Sequence, residues 1–72
     1  MQHKYSIDEI DRLRKALHTY LVTGLFYYTN EMEQTVELQL RTHMLNGTTP
    51  EDMEEKAKEK HNAWLRTQGF KV

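Results

Sequence analysis

Apolar residues along this chain recur mostly at helical spacing, in three segments separated by glycine and proline. The first is announced by Ser6-Ile7-Asp8-Glu9, which reads as a capping box: the Ser6 hydroxyl accepts from the Glu9 amide while the Glu9 carboxylate reaches back to the Ser6 amide. Tyr5 and Ile10 occupy the positions of a hydrophobic staple. Ile7, Ile10, Leu13, Leu17, Tyr20 and Leu21 then fall on one stripe, with Asp8, Asp11, Arg12 and Lys15 directed elsewhere. A helix over about residues 6–23 follows. Gly24 ends or bends it, either as a left-handed cap or as a small residue at a close helix crossing.

The third segment is equally well marked. Asn46-Gly47 closes the preceding element, Thr49 is an N-cap, Pro50 suits the first helical position, and Glu51 and Asp52 complement the positive end of the helix dipole. The helix predicted from these signals runs over about 50–67, Gly69 stops it, and a tail of 68–72 follows. Asp52–Lys56 and Glu54–Lys58 sit at the favourable i, i+4 spacing. Met53, Ala57, His61, Trp64 and Leu65 form its apolar stripe, a narrow one.

The middle segment is ambiguous at Val36-Glu37-Leu38-Gln39-Leu40-Arg41, which alternates apolar and polar like a half-buried strand. A strand there would have no partner strand anywhere in the chain and would leave the flanking glycine-free and proline-free residues as loop. Read as a helix at about 100° per residue, Met32, Val36, Leu40, His43 and Met44 share one face, and Leu25, Phe26 and Tyr28 extend it upstream. A helix over about 26–45 is therefore predicted. Leu38 and Leu45 lie roughly opposite that face, with Gln34 and either Arg41 or Thr42 between them and Tyr27 extending the line. A helix apolar on two sides needs two things to pack against.

Size turns that second stripe into an expectation about assembly. The 72 residues make one domain at most, and so short a chain buries a small share of its surface. The sequence has no cysteine, which removes disulfides, thiolate metal sites and thiol catalysis together. Oligomerisation is the remaining remedy. The expected object is an all-α, three-helix small domain spanning 1–72, a helical hairpin plus a third helix, homodimeric through the middle helix. Tyr27, Leu38, Leu45, Tyr28 and Arg41 are its candidate interface residues, whether toward a second copy or toward another protein.

Charge and candidate chemistry narrow the remaining possibilities. The formal net charge is −1, and residues 1–36 carry four Lys/Arg against five Asp/Glu while 37–72 carry six against six, unlike a nucleic-acid-binding tail. His3, His18, His43 and His61 form no metal-ligand spacing, no glycine-rich phosphate loop is present, and the carboxylates at the start of the third helix sit where acids are favourable anyway. His43 and His61 fall on predicted apolar faces, where core or interface positions outnumber ligands. No enzyme activity, cofactor or metal is expected. Residues 43–67 do resemble a helix-turn-helix in outline, but the second helix would present Glu51, Asp52, Glu54 and Glu55 to a polyanion. Nucleic acid binding, there or through Arg12, Arg14 and Lys15, is the second choice.

"LFYYTN", Leu25 to Asn30, places three aromatics in a row, which cannot all face one core and so offers anchors for a partner protein. No membrane role is expected, since the apolar segment from Ala16 to Tyr28 is too short to span a bilayer and lacks a lysine-rich flank. The polar N-terminal stretch "MQHKYSIDEIDR" does not look like a secretion signal, which makes the cytoplasm the default location. The composition suits a small adaptor, regulator or inhibitor of the accessory kind found in bacteria and their phages.

Overall fold

The structure, a computed structural model, describes residues 4–25 and 27–72. Among these, three α-helices and no strand are formed: α1 (Ile7–Val22), α2 (Asn30–Leu45) and α3 (Pro50–Thr67). The alternating stretch at 36–41 is helical throughout.

Each helix starts where a side-chain oxygen can take up an otherwise orphaned amide. Ser6 and Glu9 close the capping box of α1, with the Glu9 amide donating to Ser6 Oγ at 3.1 Å and the Ser6 amide to Glu9 Oε1 at 2.9 Å. Thr29 caps α2, accepting from the Met32 amide at 3.2 Å. Thr49 caps α3 in the same way, accepting from the Asp52 amide at 3.2 Å with Pro50 immediately following.

The middle helix therefore begins at Asn30 and not near 26. Periodicity alone carries the apolar face upstream through Leu25 and Tyr28. The Thr29 cap, with extended backbone at φ −117° and ψ 164°, overrides it and leaves Leu25, Tyr27 and Tyr28 outside the helix. The expectation that Phe26 joins the Val36 face lies outside the described residues. Two further corrections concern stripes that fray at their ends. Ile7, one residue past the N-cap and well round the helix from Leu13, is 86 % exposed. His61 is also exposed, although half-buried Trp64 and Leu65 on the same helix are not.

Helix α1 is central and touches both others, whereas no Cα of α2 comes within 8 Å of one of α3. Pairs along α1 fix the directions. Arg14 meets Glu37 and His18 meets Tyr28, so α2 returns antiparallel. Arg12 meets Glu51 and Glu54, Lys60 donates to the Tyr20 carbonyl, and Gly24 abuts Trp64, so α3 runs parallel to α1 along its other flank. Tyr5 Oη donates to the Thr48 carbonyl at 2.8 Å, tying the start of α1 to the α2–α3 turn.

The shared core is thin: Leu13, Ala16 and Leu17 from α1, Val36 and Leu40 from α2, Met53 and Ala57 from α3. Five large apolar side chains at about 1.5–3 kcal/mol each leave little margin over chain entropy. Both open explanations of Gly24 hold at once. Its φ of +82° is left-handed, and a Cβ built there would meet the Trp64 indole at 3.0 Å.

Candidate functional site

Because α1 alone covers α2, the α2 face turned away from Val36 and Leu40 has nothing over it. Leu38 and Leu45 stand on that face 63 % and 70 % exposed. A shallow groove runs beside Leu38, bounded by Asn30, Glu33, Gln34, Glu37 and Arg41, all from α2 itself. These residues recur at i, i+3, i+4, i+7 and i+11 from Asn30, which places them along one flank of the helix. Glu33 and Asn30 are groove residues that the two-stripe reading passed over, although the same periodicity contains them.

Charge along this flank is ordered. Glu37 is held by Arg14 of α1, Nε to Oε2 at 2.8 Å, and that hydrogen bond, more than the surrounding charges, keeps its carboxyl below the usual carboxylate range. Arg41 adds to the same lowering through its charge. Glu31, Glu33 and Arg41 form no ion pair among the described residues. The flank thus carries uncommitted acid toward its N-terminal end and an uncommitted guanidinium toward its C-terminal end.

Tyr27 and Tyr28 belong to a different place. Both precede the Thr29 cap, so neither lies on α2, and Tyr27 does not extend the Leu38–Leu45 line. Tyr27, 66 % exposed, borders one hollow with Leu21, Leu25, Met32 and Thr35 and another with His18, Val22 and Tyr28. The Tyr28 ring lies 4.8 Å from the His18 ring. Partial burial of its hydroxyl, then the nearby charges of Glu33 and Glu37, push that phenol above its ordinary range. Leu25, Tyr27 and Tyr28 make an apolar knob at the α1–α2 end of the molecule.

The cations considered for a nucleic-acid surface, Arg12, Arg14 and Lys15, are engaged in ion pairs. Arg12 binds Glu51 at 3.0 Å and Glu54 at 2.7 Å, Arg14 binds Glu37, and Lys15 binds Asp11 at 2.9 Å. Of the histidines, His43 shares a 3.0 Å hydrogen bond with Thr48 Oγ1 and His61 sits 6.1 Å from the Trp64 ring. Among the described residues, no three His, Asp or Glu side chains gather closely enough to hold a metal ion, and no helix is long and apolar enough to cross a membrane. The chain matches no known protein family, no curated protein and no solved structure.

Proposed function

We propose that this protein acts by binding protein and carries out no catalysis, and that its first partner is a second copy of itself docked on the outer face of α2. The observation that carries this reading is the pair Leu38 and Leu45, both more than half exposed on a helix face that no other element covers. Single exposed leucines are common on protein surfaces. Two on one helix face, beside a groove and an uncommitted arginine, make a better anchor than either alone.

The aromatic knob of Leu25, Tyr27 and Tyr28 supplies a separate contact surface for a different protein, consistent with an adaptor or regulator. Nucleic acid is the weaker reading, because Arg12, Arg14 and Lys15 each already face a carboxylate. Sedimentation equilibrium over micromolar to millimolar concentrations tests the self-association. The wild type should show a reversible dimer, and the Leu38→Glu/Leu45→Glu variant should remain monomeric with an unchanged helical circular dichroism spectrum. A wild type that stays monomeric throughout refutes the reading.

A further inference from the structure

We propose that Asn46 is a site of spontaneous covalent modification: its side-chain amide closes onto the backbone nitrogen of Gly47 and is converted to a carboxylate, at a rate held down by the Tyr5–Thr48 hydrogen bond. Of the three asparagines, Asn30 and Asn62 lie within α2 and α3 and are followed by Glu31 and Ala63, whereas Asn46 has left α2 and is followed by glycine. Asn46 and Gly47 are both exposed, and nothing lies within 4 Å of where a Gly47 Cβ would stand. The five-membered ring can therefore close without meeting a side chain.

The step balances with water alone. The Gly47 nitrogen gives its proton to hydroxide and bonds to Asn46 Cγ, while the Cγ–Nδ2 bond breaks. The leaving nitrogen takes a proton from water and departs as ammonia, which regenerates the hydroxide and leaves a cyclic imide. Water then opens the imide at either carbonyl. Opening at the side-chain carbonyl breaks the new bond and gives an aspartyl residue; opening at the main-chain carbonyl breaks the original peptide bond and routes the backbone through the side chain as an isoaspartyl residue.

Folded geometry restrains this step. The Gly47 N–H donates to the Met44 carbonyl at 3.2 Å, and Asn46 sits at φ −83° and ψ −4°. Attack requires that bond to break and ψ to rotate, so the turn must open. Two contacts that close it are local to the turn: the Thr48 amide donates to the His43 carbonyl at 2.9 Å, and Thr48 Oγ1 shares a 3.0 Å hydrogen bond with His43 Nδ1. The third comes from the start of α1, where Tyr5 Oη donates to the Thr48 carbonyl at 2.8 Å. A turn held by so few contacts opens locally, without global unfolding, and the Tyr5 hydroxyl is the outside tie that such opening must break. Either product then loosens the turn further. It sets a carboxylate at the negative end of the α2 dipole, and the isoaspartyl form also adds a backbone carbon to the short connection at 46–49.

Incubating the whole protein in warm, mildly alkaline buffer tests this, with peptide mapping by mass spectrometry following the gain of one mass unit at each asparagine. Asn46 should convert at least about tenfold faster than Asn30 or Asn62. Tyr5→Phe, checked as folded by circular dichroism, should raise the Asn46 rate by about 2- to 10-fold. Urea below the unfolding transition, which promotes global unfolding far more than local opening, should leave the wild-type rate within about twofold. Conversion spread evenly over the three asparagines, an Asn46 rate that Tyr5→Phe leaves unchanged, or one that climbs with urea in step with global unfolding would each overturn the proposal.

Discussion

Gly24 and Trp64 pack too closely for a side chain between them: the glycine turns left-handed at the end of α1, and the edge of the α3 indole lies 3.0 Å from where its Cβ would be. This contact pins the C-terminal half of α3 to the α1–α2 connection. It explains how a helix whose buried residues, Pro50, Met53 and Ala57, all lie in its N-terminal half stays docked along its length. Gly47 offers the comparison, with φ +76° and nothing within 4 Å of the added carbon.

Alanine at the two glycines should therefore differ. Gly47→Ala carries only conformational strain, about 1–2 kcal/mol. Gly24→Ala adds overpacking against the indole, for about 2–4 kcal/mol in all. Thermal unfolding reads the difference at roughly 4–8 °C per kcal/mol for a domain this small. In a Trp64→Ala background the increment from Gly24→Ala should fall to the Gly47 level, and equal increments in both backgrounds would show that the indole is not the obstacle.

The caps and glycines are the part of this fold that can be read from the chain, because they act within three or four residues of themselves. Ser6, Thr49 and Gly47 announce their helix ends without help from tertiary structure. Thr29 is as good a cap as Thr49 and was legible in principle, yet it lacks a proline beside it and sits downstream of an apolar run whose spacing also fits a helix. The two leucines of the outer stripe could be placed on α2 from periodicity. The groove beside them, the Arg14–Glu37 link and the position of Tyr27 off the helix depend on how α1 lies across α2, which spacing within α2 does not encode.

Loss of the α3 cap should be measurable despite its exposure. Thr49→Ala leaves the Asp52 amide without its 3.2 Å acceptor and should lower stability by about 1 kcal/mol, whereas Thr49→Ser, which keeps the oxygen, should be nearly silent. Equal losses from the two would place the effect in packing of the methyl group and not in the cap.

Acid should weaken the protein through its inter-helix ion pairs. The carboxyls of Glu37 and Glu54 are held below their ordinary range, first by hydrogen bonds from Arg14 and Arg12. A depressed folded-state carboxyl contributes stability that is fully present above its unfolded pKa of about 4.3 and is lost as pH falls through the folded value. Unfolding midpoints should hold between pH 7 and about 5 and drop below that. Both pairs are substantially exposed, so the drop should be small, and added salt should shrink it further. Glu37→Gln should make the acid limb shallower. An unchanged limb would mean that other carboxylates set it.

Tyr27→Ala separates the two surfaces. Because the ring is mostly exposed and off α2, its removal should change stability by no more than about 0.5 kcal/mol and leave the dimer constant at its wild-type value. A weakened dimer would place the aromatic knob in the self-association interface and merge what the fold keeps apart.

Self-association through the outer face of α2 is most directly tested by backbone amide NMR spectra recorded over a dilution series. Concentration-dependent shifts confined to α2, strongest at Gln34, Leu38, Arg41 and Leu45 and absent from exposed α3 positions such as Glu59 and Ala63, are the predicted result. Spectra that do not change with concentration, or shifts centred on Leu25, Tyr27 and Tyr28 or on α3, would contradict it.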